Sequence, residues 1–282
     1  MAFKDILLVL TSYPDPDLVS AVDEPIAFAV AVGARISAIA CEIKFRAPPN
    51  IFGGVLLDAP AIAAAETKKS STNTQNLLAA FQSSADKAGV FQDRIVENCL
   101  PLEVPDVIVE YARLRDLTIV PSTESGSIGQ GYAEAIIFGS GRPTLITPHV
   151  RKRAGEFALN TVVVAWDFSR PAARAVADAL PILEKAKHVR VVTVTNEKII
   201  DTKRSGAELA KHLAHHGVEV VLDTVDAAGR SIGSVLESHA TSINADLLVM
   251  GAYGHSRIRE FVLGGATKSM LARPPLPILL SH

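Results

Sequence analysis

Cysteine is nearly missing from this chain: Cys41 and Cys99 are the only two among 282 residues. They fall in separate apparent strands at no regular spacing, which argues against a disulfide framework or a metal cluster. Both read as reduced core thiols. Aromatic residues are also scarce, at 5%. Alanine and valine take their place, which suits closely packed layers of helix on sheet better than a β-sandwich. Neither sign of charge dominates, because the formal net charge is only −2. No global basic field therefore attracts nucleic acid or an anionic membrane. No long hydrophobic run opens the chain. The apolar stretch after Lys4-Asp5 is too short for a signal-peptide core or a membrane span, so a cytoplasmic protein is expected. Three familiar signatures are absent as well: Gly-x4-Gly-Lys-Ser/Thr, a Gly-x-Gly-x-x-Gly after either first strand, and Gly-x-Ser-x-Gly. A phosphate-loop kinase, a dinucleotide dehydrogenase and an α/β-hydrolase each lose their usual mark.

What is present is a repeat. Hydrophobic residues reach 48%, enough for a core in each of two domains. Strand-like residues 6–11, helix-like 17–32 and strand-like 35–42 open the first half; 161–166, 171–185 and 188–195 open the second. Each half continues through a helix, a third strand (93–99 and 218–225), a helix (104–113 and 231–244) and a fourth strand (117–120 and 247–250). Each closes on a short strand with proline before it and histidine after it, at His149 and His282. Alternating strands and helices imply parallel sheets with crossover helices. The expected fold is α/β: two tandem five-stranded parallel-sheet domains, flavodoxin-like or Rossmann-like, spanning 1–150 and 157–282 with a polar linker between. Last strands are sheet edges, and bare edges tend to be paired. The last strands, residues 145–147 and 278–280, are therefore expected to be covered or paired.

The most informative segment follows the fourth strand of the second half. Buried-looking 247–250 runs into Gly251 and Gly254, and nine residues later into Gly264-Gly265-Ala266-Thr267. Glycine lets a bound group approach the main chain closely. Glycines after a strand and before a helix can build a cradle of N–H groups suited to phosphate. In open α/β sheets the ligand crevice lies beyond the strand ends where the winding reverses, here between the first and fourth strands. The first strand ends in Trp166-Asp167-Phe168-Ser169. Asp167 could accept from a ribose hydroxyl or a base, or could cap the helix at Pro171. Ser169 offers a better-spaced cap, because Pro171 suits the first turn.

These segments resemble the universal stress protein family. Trp-Asp-Phe-Ser resembles the family's first-strand ending, where an aspartate contacts the nucleotide. Val194 matches the second-strand residue whose backbone meets the adenine, and Met250-Gly251, Gly254 and Gly264 match the phosphate loop. The resemblance implies a stress-related regulatory protein binding ATP, AMP or ADP, with magnesium accompanying ATP, and acting through nucleotide-dependent conformation or a protein partner. Family dimers join at the last strand, so the resemblance implies that residues 145–147 and 278–280 pair within the chain as a pseudo-dimer, and that two such chains form a homodimer. One departure stands out: the family loop usually ends Gly-Ser or Gly-Thr, where this chain has Gly264-Gly265, with Thr267 as the nearby hydroxyl. Two other readings share the fold: a slow ATPase or adenylyl-transfer enzyme, and an interaction module that has lost the site. No general base is evident beside the loop.

A second Gly-x2-Gly-x9-Gly, at Gly126, Gly129 and Gly139, fits the spacing better still. Topology rejects it, because the last strand begins too soon after Ser140 for a phosphate-facing helix to follow. The helix must lie within the interval, at 132–138, and Gly131 becomes the expected counterpart of Gly264. The first half also carries Thr11-Ser12-Tyr13-Pro14 where the second has its aspartate, so it is expected to be a degenerate copy. His212 and His216 are one helical turn apart but lack a third metal ligand and read as a solvated face. Arg257 and Arg259 flank the loop, within reach of a phosphate or of solvent.

Overall fold

The computed structural model describes residues 2–46, 59–123, 127–149, 156–196, 205–252 and 265–282. Near-continuous apolar runs, buried on both faces, form β1 (Asp5–Leu10), β2 (Arg35–Ile43) and β4 (Leu117–Pro121) in the first half, with polar β3 (Phe91–Cys99) and short β5 (Thr144–Thr147). The second half supplies β6 (Thr161–Ala165), β7 (His188–Thr195), β8 (Val220–Asp226), β9 (Leu247–Gly251) and β10 (Ile278–Ser281). All ten join one sheet in the order β3-β2-β1-β4-β5-β10-β9-β6-β7-β8. Each half is parallel throughout. Only the central seam is antiparallel, Ile278 pairing with Ile146 and Leu280 with Thr144. The two last strands thus close on each other, as the family resemblance implied.

The helices sit on both faces. On one face, α1 (Asp23–Val32), α2 (Ala59–Lys87), α5 (Arg170–Leu183) and α6 (Ser205–His215) share a core running from Phe28 and Phe81 to Ala175 and Leu213. On the other, α3 (Val104–Arg113), α4 (Ser127–Gly139), α7 (Ile232–Ser242) and α8 (Gly265–Ala272) share a second, from Ile108 and Ile136 to Leu236 and Leu271. Both cores cross the seam, so neither half buries its apolar surface alone. Side chains stitch it further. Phe28 meets Phe157 edge-on at 5.1 Å, and Lys185 Nζ donates to the last carbonyls of α1, Ala31 (3.2 Å) and Val32 (2.7 Å). A cation there also suits the negative end of the helix dipole.

The halves repeat each other in detail. Asp116 Oδ2 accepts from the N–H groups of Lys4 and Asp5, and Asp246 Oδ2 accepts from Asn160 and Thr161 in the same way. The N–H of Thr118 bonds the carbonyl of Pro143, as that of Leu248 bonds Pro277. These pairs fix the correspondence between halves. They place Gly265 rather than Gly264 opposite Gly131, one residue from the expected match. The helix of residues 17–32 begins later than its pattern suggested, with a 3-10 turn at Val19–Val22 and α1 from Asp23. Asp17 instead turns back onto the end of β1. Among the described residues, no helix is long and apolar enough to cross a membrane.

Candidate functional site

The winding reverses between β6 and β9, since the chain leaves β6 for β7 and β8 and returns on the other side. Asp167 leaves the end of β6 exposed to solvent. Its Oδ1 accepts the N–H of Ser169 at 3.0 Å, a tight local turn. Ser169, not Asp167, caps α5: its hydroxyl accepts from Ala172 N at 3.2 Å. The Asp167 carboxylate therefore stands at the mouth of the crevice with Oδ2 free of protein partners among the described residues.

Val194 lies level with Asp167 on β7. The last pair between these strands is Ala165 with Val192, and the Val192 carbonyl accepts Trp166 N at 2.9 Å. Backbone direction repeats every second residue in a strand. Val194 therefore turns its N–H and C=O toward the same side, past the point where β6 has peeled away. A donor and an acceptor so placed form an edge that a flat heterocycle could pair with.

Gly251 ends β9 against the first turn of α5. A Cβ there would sit 2.5 Å from Ala172 N, 2.6 Å from Pro171 C and 2.9 Å from Pro171 Cβ. The fold itself thus requires glycine at this position, whatever else the residue does. Met250 is buried in the second core. Gly265 is the first residue of α8, and Thr267, in its first turn, is buried and already engaged. Gly254 and Gly264 lie outside the described residues, as do Arg257, Arg259 and Gly126. The structure therefore brings Asp167, Val194 and Gly251 to the carboxyl ends of neighbouring strands β6, β7 and β9.

The first half fills the equivalent space with its own groups. Cys41 corresponds to Val194, and its carbonyl is already taken by Ser12 Oγ at 2.6 Å and Thr74 Oγ1 at 3.2 Å. Ser70 Oγ accepts the N–H of Ile43 at 2.9 Å. Thr11, at the place of Asp167, gives its N–H to Asp17 Oδ2 at 2.7 Å. Among the described residues, the space left beside Ser12, Tyr13, Cys41 and Tyr132 is a cavity of about 10 Å³, room for roughly one water. Gly139 stands at the end of α4, where a Cβ would meet Val109 at 2.8 Å. It opens no helix, as the topological argument required.

Several groups escaped the sequence reading. Asp17 is buried, and desolvation pushes its carboxyl up to about 7 against the lowering effect of the Thr11 N–H. Burial likewise raises the Cys41 thiol, which lies against that of Cys99. Both cysteines are free and buried, as expected of core thiols. Arg190 binds Asp223 through two bonds of 2.7 and 2.6 Å, and His239 Nε2 lies 3.1 Å from the same carboxylate. Arginine beside Asp223 holds that carboxyl below its usual range. The signal for this trio was period two on two strands, visible only once their register is known. His212 and His216 meet edge-on, ring centroids 5.0 Å apart.

Residues 159–282, the half containing the open crevice, match the sequence profile of the universal stress protein family. That half carries the family's sequence. Universal stress protein Slr1230 of Synechocystis sp. (strain ATCC 27184 / PCC 6803 / Kazusa) is 30% identical over 164 residues, 55% of this chain and 54% of that protein. The chain thus spans about half the length of this curated relative. A universal stress protein from Archaeoglobus fulgidus DSM 4304 superposes with a TM-score of 0.71 at 17% identity, over 98% of this chain and 95% of that one. PA1789 of Pseudomonas aeruginosa PAO1, a functionally unknown protein, gives 0.57 at 13%, over 99% and 92%. At such identities the likeness shows the fold alone, here along nearly the whole chain.

Proposed function

We propose that this chain is a universal stress protein and binds one adenine nucleotide, ATP or its AMP and ADP relatives, in the second half. Its role in the stress response then follows from nucleotide-dependent conformation or a protein partner. The supporting observation is the contrast between Val194 and Cys41. In the second half no side chain among the described residues bonds the Val194 carbonyl, beside an exposed Asp167; in the first the same carbonyl is occupied by Ser12 and Thr74. The nucleotide would lie across the ends of β6, β7 and β9, its base toward Val194 and its ribose toward Asp167. Its phosphates would lie toward the loop of Gly251, Gly254 and Gly264. Gly265 and Thr267 would stand at the helix start behind it.

Calorimetric titration with ATP tests the placement. Asp167→Ala removes an acceptor for a hydroxyl and should weaken binding by about 1–3 kcal/mol. Gly254→Val should obstruct the loop sterically. Gly129→Ala places a Cβ at ordinary contact distances, 3.5 Å from Pro121 O, and should leave affinity unchanged. Parental affinity in Asp167→Ala and Gly254→Val would remove the nucleotide from this crevice. Turnover of ATP in excess over protein would mark an enzyme instead.

A further inference from the structure

We infer that Phe168 is the aromatic contact for the base of the bound nucleotide, an inference that rests on the adenine-nucleotide reading above. Phe168 follows Asp167 at the lip of the crevice and adopts φ 60°. Left-handed backbone suits glycine and is tolerated by asparagine, but for a bulky side chain it is an outlier. Two of the other described non-glycine residues with positive φ are asparagines, Asn196 and Asn244, and the third is Ala228. Phe168 is the one large side chain in this group.

Packing does not account for it. Phe168 is 66% exposed, so its ring contributes little to either core. Its described ring contact is with Trp166, edge-on with centroids 6.1 Å apart and planes at 82°. Trp166 is itself buried, and its indole Nε1 has no hydrogen-bond partner among the described residues. A strained, exposed aromatic beside an unsatisfied buried donor is costly to the empty protein. Such strain points to a binding role when the rest of the structure holds it in place.

Register says what the role is. Phe168 corresponds to Ser12, whose side chain bonds the carbonyl of Cys41, the counterpart of Val194. In both halves this position adjoins the strand edge that would pair with a base. The first half uses a hydroxyl to close that edge. The second uses a ring, which can lie against a flat heterocycle, and stacking on an aromatic side chain tolerates any base.

The test is calorimetric titration of the full chain with ATP, comparing the parent with Phe168→Gly and Phe168→Tyr, and melting all three without ligand. Glycine removes the ring and relieves the positive φ. Phe168→Gly should therefore lose about tenfold in ATP affinity while melting no lower than the parent. Phe168→Tyr keeps the ring and should bind as the parent does. Parental affinity in Phe168→Gly, or equal weakening in both variants, overturns the inference. A lower melting temperature for Phe168→Gly would assign the ring to stability and overturn it as well. A parent that binds no ATP would instead remove the adenine-nucleotide reading beneath it, a result visible before any variant is made.

Discussion

Replacing Gly251 with alanine separates what the fold asks of this residue from what a ligand asks. The added Cβ would meet Ala172 N at 2.5 Å and Pro171 C at 2.6 Å, about 1 Å inside ordinary carbon contact. These are backbone atoms, so no side-chain rotation relieves the overlap. The first turn of α5 must move as a unit, carrying the Ser169 cap and the Asp167 turn with it. Overpacking of this kind costs about 1–3 kcal/mol. At the middle of that range the melting temperature falls by roughly 4–8 °C for a chain of this order of size. Differential scanning calorimetry of the ligand-free protein measures it. An unchanged melting temperature would refute the packing argument; combined with lost ATP affinity, it would assign Gly251 to the ligand alone.

Other expectations follow from the same geometry. Asp17 holds its proton more tightly when folded, its carboxyl being raised from 3.8 to about 7. The stability it contributes is fully present below pH 4 and is lost as pH rises through 7, on the order of 4 kcal/mol across that window. Asp17→Asn keeps an acceptor for Thr11 N, so urea midpoints should show the variant gaining on the parent at pH 8 and matching it more closely at pH 5. An identical pH profile would contradict this. Asp246→Ala strips the partner from two backbone N–H groups and should destabilise by about 1–3 kcal/mol, with Asp116→Ala behaving alike. Urea denaturation checks both, and a null effect in either would refute the shared-clamp argument.

Much of the fold was legible because its signals are local. Apolar runs of 247–250 and 278–280 could only be buried strands, and proline before each last strand marked where each half ends. The seam was readable only with the family resemblance, since the winding leaves β3 and β8 as edges as well as β5 and β10. The start of α1 was not. Residues 17–22 carry a helix-compatible pattern, but Asp17 gains the N–H of Thr11 by turning back, a tertiary contact that no local period announces. The site divides similarly. Asp167 and Ser169 could be ranked as caps from spacing alone, and the structure gives the cap to Ser169. The packing demand on Gly251 was hidden, because it depends on how closely α5 crosses β9. Closure of the first-half crevice was hidden too. Ser70 and Thr74 reach it from α2, far along the chain from the strand ends they seal.

The central claim is that only the second half holds a nucleotide. Stoichiometry measures it most directly: titrate ATP calorimetrically into the full chain and read the number of sites. The account predicts one per chain, since the first-half cavity of about 10 Å³ leaves no room for a base. Two sites per chain, or none, would contradict it.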